Sequence, residues 1–132
     1  MKGILKTRNF DSIKKLSLKR AAGKQKQLYH RMSKITTSIL FLEDHKMLTP
    51  EMLWNILEIY LNYQIESAKL QYVIYHRRGT SFLKEFSERG MKNYYENINV
   101  SSHRMVSNIP YEISDKYRNI ILKMQKEHET IS

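Results

Sequence analysis

Five histidines are the candidate metal ligands and catalytic bases of this sequence. They stand at positions 30, 45, 76, 103 and 128, and no two of them are three or four residues apart. The His-Glu-x-x-His zinc motif is therefore absent, and the chain has no cysteine to supply a thiolate. His45 and His128 are flanked by acidic residues, which predicts solvated surface positions for both.

No other pattern in the chain points to an enzyme. A Gly-rich phosphate loop, a Gly-x-Ser-x-Gly elbow and a Walker pattern are all absent. Carboxylate pairs such as Glu85 and Glu88 share a helix face, but solvated helices show the same alternation of charges. The sequence therefore predicts a protein that is not an enzyme and that uses no cofactor and no metal.

The positive charge lies in the first quarter of the chain. The net charge is +10, and residues 1–34 hold eleven Lys and Arg against one acid, whereas the rest of the chain is balanced. This asymmetry favours an acidic partner: nucleic acid, an anionic membrane surface or an acidic protein surface. A solvated helix face is the simpler alternative. The candidate contact residues of this basic face are Lys14, Lys15, Lys19, Arg20, Lys24, Lys26, Arg31 and Lys34.

The length of 132 residues indicates one domain, and the absence of a long apolar run indicates a soluble protein. The longest apolar run is 39–42, too short to cross a bilayer, and the N-terminus has no apolar region of a secretion signal. A cytoplasmic protein is expected, and few Gly and Pro favour long helices.

The elements that position the basic face begin with a helix over residues 12–47, after a flexible segment at 1–11. Ser12 is a suitable cap, and Gly23 weakens the helix without forbidding it. Apolar residues recur every four and three positions, which is typical of a coiled-coil seam interrupted by Gln25. The seam residues are Leu18, Ala21, Leu28, Met32, Ile35, Ile39 and Leu42.

Residues 48–51 predict a tight turn into a second helix over residues 50–78. Thr49 is a suitable N-cap, Pro50 fits the first helical position, and Glu51 complements the helix dipole. Such a short connection predicts an antiparallel helical hairpin. The second helix is apolar over more of its circumference than one partner helix covers. A further helix of this chain or a partner protein is expected on the apolar face of Trp54, Leu57, Tyr60, Leu61 and Ile65.

The last third of the chain predicts shorter helices. A helix is expected over 81–89, and residues 91–110 are consistent with either two weak helical turns or a loop. A C-terminal helix over 111–129 has seam residues at the spacing four, three, four and is expected to run back beside the basic helix. These seam residues are Ile113, Tyr117, Ile120 and Met124. The predicted fold is all-α, an antiparallel two-helix hairpin or coiled coil, with possible short helices in 81–110.

The turn resembles a motif of the central-stalk proteins of type III secretion and flagellar export ATPases, the FliJ-like group. Leu48-Thr49-Pro50-Glu51, followed by Leu53-Trp54 and Ile56-Leu57, is similar to the turn that opens the second long helix in that family. The resemblance implies a non-catalytic antiparallel coiled coil that inserts into a hexameric secretion ATPase and reaches toward the export gate. It also implies possible binding of export chaperones and a position at the cytoplasmic face of the inner membrane. The basic residues 14–34 are then expected to face acidic groups in the ATPase pore.

A nucleic-acid-binding accessory protein of a plasmid or phage is the alternative. The basic residues favour phosphate contacts, and Tyr29, Tyr72, Tyr75, Arg77 and Arg78 are able to stack on exposed bases. No DNA- or RNA-binding motif accompanies them.

Overall fold

The protein is an all-α hairpin whose long helices are joined by a tight turn. The computed structural model describes residues 10–78 and 102–131, and no strand occurs among them. The fold class expected from the sequence is confirmed. The helices are α1 (Phe10–Lys14), α2 (Leu18–Asp44), α3 (Pro50–Arg78), α4 (Ser102–Ser107) and α5 (Ser114–Ile131), with a 3-10 turn at Tyr111–Ile113. The helix expected over 81–89 lies outside the described residues.

The basic helix is divided, which the sequence did not predict. A break at residues 15–17 separates α1 from α2, and Ser17 rather than Ser12 caps α2 by accepting a 3.2 Å hydrogen bond from the Arg20 N–H. The break lets α1 fold onto α3, where Ile13 and Leu16 are buried. The burial of these two side chains offsets the loss of helical continuity. Residues 10 and 11, expected to be flexible, belong to α1.

The turn between α2 and α3 is closed at both helix ends. Lys46 adopts a left-handed conformation with φ 56°, and the N–H groups of Lys46 and Met47 donate to the carbonyls of Glu43 and Leu42. This pattern is a Schellman motif with lysine at the position that glycine usually takes. On the other side, the Thr49 hydroxyl accepts a 3.2 Å hydrogen bond from the Met52 N–H, as expected of an N-cap.

The seam of α2 packs against α3. Ala21, Leu28 and Ile39 are buried, and the other seam residues of α2 are half-buried. The hairpin has two apolar cores. The turn-end core contains Ile39, Leu48, Leu53, Trp54, Leu57, Leu61, Ile65, Met105, Val106, Ile109, Ile113, Tyr117 and Ile121. The open-end core contains Ile13, Leu16, Ala21, Leu28, Leu70, Val73 and Ile74.

The C-terminal helix packs differently from the prediction. Ile113 and Tyr117 are buried as expected and Met124 is half-buried, but Ile120 is 42% exposed and its neighbour Ile121 is fully buried. The buried positions follow four-residue steps, and each step advances about 40° beyond one helical turn. The contact line therefore slants around α5, which favours helices that cross at an angle over a coiled-coil pair.

The position of α5 follows from two contacts. Tyr117 meets Glu43 at the end of α2, and His128 stacks on Trp54 near the start of α3. Helix α5 therefore covers the turn end of the hairpin and does not run beside the basic half of α2. The expectation that the two ends of the chain pair with each other is wrong for the described residues.

Candidate partner-binding surfaces

A polar contact inside the hairpin fixes which residues of α2 and α3 face each other. Gln25 is buried, and its Nε2 donates to Gln71 Oε1 at 2.8 Å, to the Ser67 carbonyl at 3.2 Å and to the Tyr29 hydroxyl at 3.1 Å. Gln25 thus lies level with residues 67–71. Because the helices are antiparallel, positions farther along α2 meet correspondingly earlier positions of α3.

This antiparallel arrangement brings two basic segments together. We define the open end as residues 10–34 and 67–78, the half of the hairpin away from the turn. The open end holds eleven Lys and Arg and one acid, Asp11, whereas residues 35–66 hold one cation and five acids. The three cations contributed by α3 are Lys69, Arg77 and Arg78. The hairpin is therefore strongly polarised along its length.

Most of the basic face predicted from the sequence is accessible. Lys14 and Lys24 are half-buried, and the other six predicted residues are exposed. Among the described residues, no acidic side chain pairs with Lys19, Lys26 or Lys34. Their charge is therefore available to a partner.

Arg77 has a structural contact at the same end. Its guanidinium donates to the carbonyl oxygens of Lys14 at 3.0 Å and Leu16 at 3.3 Å. These carbonyls lie at the end of α1 and in the break before α2, where helical partners are lacking. Arg77 therefore holds α1 against α3, a role that its sequence position did not indicate.

The apolar face predicted as a partner surface is mostly internal. Trp54, Leu57, Leu61 and Ile65 are buried in the turn-end core, and Tyr60 is half-buried. The prediction that this face binds a partner is wrong for the four buried residues, because helices of this chain cover it. The alternative weighed from the sequence, coverage by a further helix of the chain, explains their burial.

The exposed apolar residues lie elsewhere. Met52 and Ile59 on α3 are 37% and 46% exposed, and Phe41 on α2 is 56% exposed. They are not among the site residues expected from the sequence. Helical spacing could have indicated a second apolar row on α3. Met52, Ile56, Ile59 and Tyr63 follow one another at four, three and four residues, so they share one face of the helix.

A charged cluster joins α5 to the end of α2. The Tyr117 hydroxyl donates to Glu43 Oε1 at 2.8 Å, and Lys116 Nζ lies 3.0 Å from Glu43 Oε2. The hydrogen bond from Tyr117 and the contact with Lys116 lower the pKa of Glu43, while burial raises that of Tyr117. The cluster orients α5 relative to the end of α2.

A second cluster surrounds Trp54. The His128 ring stacks on the indole at 4.5 Å with an interplanar angle of 7°, so His128 is not the solvated residue expected from its acidic neighbours. Burial raises the pKa of Glu58. The nearby Trp54 indole N–H opposes that shift, although the pair does not meet hydrogen-bond geometry.

Lys69 is a buried cation of α3. It is 4% exposed, and burial lowers its pKa, an effect that Glu66 opposes. Its burial could have been predicted from helical spacing, because Ile65 and Val73 lie four residues before and after it and are both buried.

Other classes of site are not found in the part of the chain that the structure describes. No group of three His, Asp or Glu side chains there is arranged to hold a metal ion. None of its helices combines the length and apolar character that a bilayer crossing requires. The chain matches no known protein family, no curated protein and no solved structure.

Proposed function

We propose that the protein is a non-catalytic stalk or assembly factor that inserts the open end of its hairpin into the pore of a hexameric secretion ATPase. The observation that carries this proposal is the separation of charge along the hairpin. Eleven cations and one acid occupy the open end, while acids predominate near the turn. A molecule polarised in this way presents one end, rather than one side, to an acidic partner.

The dimensions and chemistry of the hairpin suit this role. Its helices of 27 and 29 residues extend about 40 Å at 1.5 Å per residue. A single stalk in a six-fold ring meets six equivalent acidic surfaces in different orientations. Long Lys and Arg side chains adapt to such changing contacts more readily than a shaped apolar patch does.

The turn supports the proposal through the residues that carry the family resemblance. Thr49 caps α3 and Pro50 opens it, so the motif residues have the structural role that the resemblance implies. The contacts of α4 and α5 with the turn end leave them away from the basic end. On this proposal, the turn end faces the export gate or its chaperones.

Native mass spectrometry of the protein with a hexameric secretion ATPase from the same organism tests the proposal. One copy bound per six ATPase subunits is the expected result. Reversing Lys19, Lys24 and Lys26 to Glu is expected to abolish the complex while circular dichroism shows the same helix content. Reversing Arg118, Lys123 and Lys126, exposed cations of α5, changes the net charge equally and is the matched control. Absence of any complex with the unaltered protein would falsify the proposal.

Nucleic-acid binding is a second candidate, favoured by a row of cations on α2. Arg20, Lys24, Arg31 and Lys34 lie on one flank at spacings of four, seven and three residues. If six open-end cations neutralise phosphates, log affinity falls with log salt at a slope of about −5. Fluorescence anisotropy with a labelled duplex at several salt concentrations measures this slope. A slope near zero removes this candidate.

A further inference from the structure

One side of the hairpin carries two parallel rows of side chains. The α3 positions that meet α2 follow a heptad pattern, and they include Ser67 and Gln71, the partners of Gln25. Extended along α3 by alternating steps of four and three, the series is Leu53, Leu57, Tyr60, Gln64, Ser67, Gln71 and Ile74. Within it, the Gln64 amide bonds that of Asn108, after α4. In an antiparallel pair of right-handed helices, the residue that precedes each seam residue lies on the same side of the pair in both helices. We call this side the row face. Met52 before Leu53 on α3 and Arg31 before Met32 on α2 are examples of its residues.

The opposite side of the hairpin is occupied by this chain. Positions one residue after the seam include Glu43, Trp54 and Leu61. Glu43 contacts Tyr117 and Trp54 contacts His128, both on α5. Helix α5 therefore packs on the side away from the row face.

On α3, the row face is apolar near the turn. Its residues there are Met52, Ile56, Ile59 and Tyr63, spaced by four, three and four residues. Met52 and Ile59 are exposed, and Ile56 and Tyr63 are half-buried. The row extends about 16 Å from Met52 to Tyr63 at 1.5 Å per residue, which equals three helical turns.

The α2 residues of the row face that lie beside this apolar row are basic. Arg31 and Lys34 precede the seam residues Met32 and Ile35, and both are exposed. Since Gln25 lies level with residues 67–71, Arg31 and Lys34 lie level with Tyr63 and Tyr60, respectively. Phe41 continues the same row toward the turn and is also exposed.

The protein itself places a helix in this groove at the open end. Past Glu66, the α3 row continues there as Leu70, Val73 and Arg77. Ile13 of α1 and Leu16 of the break that follows it are buried against this part of α3, and Arg77 donates to the carbonyls of Lys14 and Leu16. The row face at the open end is therefore covered by the one-turn helix α1 and the break after it. Beyond α1, Met52 and Ile59 remain exposed.

We propose that the row face near the turn binds an amphipathic helix of another protein that carries Asp or Glu along one edge. Its apolar stripe packs on Met52, Ile56, Ile59 and Tyr63 in line with α1, and its acidic edge pairs with Arg31 and Lys34. A second copy of this chain is a poor occupant, because the row face between Met52 and Tyr63 has no Asp or Glu to pair with the Arg31 and Lys34 of another copy. Arg31 and Lys34 belong to the open end, but the apolar row lies nearer the turn, so this inference does not require insertion into an ATPase pore.

A synthetic helical peptide tests this inference with the full-length protein. The probe is a fluorescein-labelled peptide of about three heptads with Leu at the first and fourth positions and Glu on the flanking positions. A second peptide has Lys in place of Glu, and a third has the composition of the first in scrambled order. Fluorescence anisotropy measures the binding of each.

Of the three peptides, only the acidic one is expected to show saturable binding. Ile59→Glu is expected to weaken it at least about tenfold, as loss of a central apolar contact does. The double variant Arg31→Glu with Lys34→Glu is expected to lose the acidic peptide and to gain the Lys peptide. Tyr111→Glu is the matched control, since Tyr111 is 92% exposed outside the row face, and its binding is expected to stay unchanged.

Three results overturn the inference. Equal binding of the scrambled peptide shows that net charge, not the groove, drives association. Unchanged binding by Ile59→Glu shows that the apolar row is not the contact. A DNA duplex of about 20 base pairs is the third probe. Binding of the duplex that depends on Arg31 and Lys34 but not on Ile59, with no peptide binding, assigns these cations to nucleic acid.

Discussion

The hydroxyl of Tyr117 donates a 2.8 Å hydrogen bond to the carboxylate of Glu43, joining residues 74 positions apart. The contact links the first turns of α5 to the last turn of α2. It is the polar connection that, with the turn-end core, holds the C-terminal helix over the hairpin turn. Glu43 therefore supplies a charged acceptor for this contact.

Tyr117→Phe is expected to lower the free energy of unfolding by about 1–2 kcal/mol at pH 7, because a hydrogen bond to a charged group is lost at a buried position. Urea denaturation measures the change. Tyr111→Phe is the matched control, since the exposed Tyr111 side chain has no comparable contact in the described residues. Equal effects of the two substitutions contradict the role assigned to Tyr117.

The pH dependence of the same contact has a definite sign. The pKa of Glu43 in the folded protein lies below its usual value of 4.5. Its contribution to stability is therefore complete above pH 4.5 and is lost as the pH falls through the lower folded-state pKa. The stability difference between the unaltered protein and Tyr117→Phe is expected to shrink over that acidic window. A difference that stays constant from neutral pH to pH 3 rules out an ionised Glu43 as the acceptor.

Lys46→Gly is expected to stabilise the protein by about 0.5–1 kcal/mol, because glycine adopts the left-handed conformation without the steric cost of a Cβ. Thermal denaturation followed by circular dichroism measures the gain. Lys46→Ala removes the same charge but keeps the strain, so it is expected to give no gain. A gain from alanine equal to that from glycine attributes the effect to charge.

Gly23→Ala is expected to stabilise the protein by about 0.5–1 kcal/mol, because alanine has a lower conformational cost inside a helix. A Cβ built at Gly23 meets nothing within 4 Å, so no clash opposes the gain. The urea midpoint is the measurement. A loss of stability on this substitution shows that the outer face of α2 is covered.

His128→Ala is expected to expose one face of Trp54, the single tryptophan of the chain. Its fluorescence emission is expected to shift to longer wavelength, and stability is expected to fall by about 0.5–1.5 kcal/mol with loss of the aromatic stack. His45→Ala is the control, since the His45 ring packs at a tilt against Phe41 and not on the indole. Unchanged emission from His128→Ala shows that α5 does not cover Trp54 in solution.

The hairpin was predictable because its signals are local. Thr49 and Pro50 act within one helical turn, and the heptad spacing of α2 reflects the 3.6-residue period of its own backbone. The helix bounds Pro50–Arg78 were expected for the same reason. Local rules did not locate the break at Ser17, because only contact with α3 offsets the loss of helical continuity there.

The choice of which apolar face remains open was not predictable from spacing. Trp54 and Met52 are both apolar residues of α3, and their positions in the sequence do not say which one α5 covers. The burial of Ile121 in place of Ile120 was likewise not predictable from spacing. The angle at which two helices cross determines which row of residues is buried.

Composition and periodicity were sufficient to give an all-α hairpin with a basic N-terminal part and no motif of catalysis, because each of these is a property of short segments. Antiparallel packing then placed Arg77 and Arg78 beside the basic part of α1 and α2, so that cations outnumber acids eleven to one among the described residues of that end. The same packing left Met52 and Ile59 exposed and buried Trp54. These outcomes depend on contacts between residues 40 to 75 positions apart, and no short-range pattern encodes the free energy of such contacts.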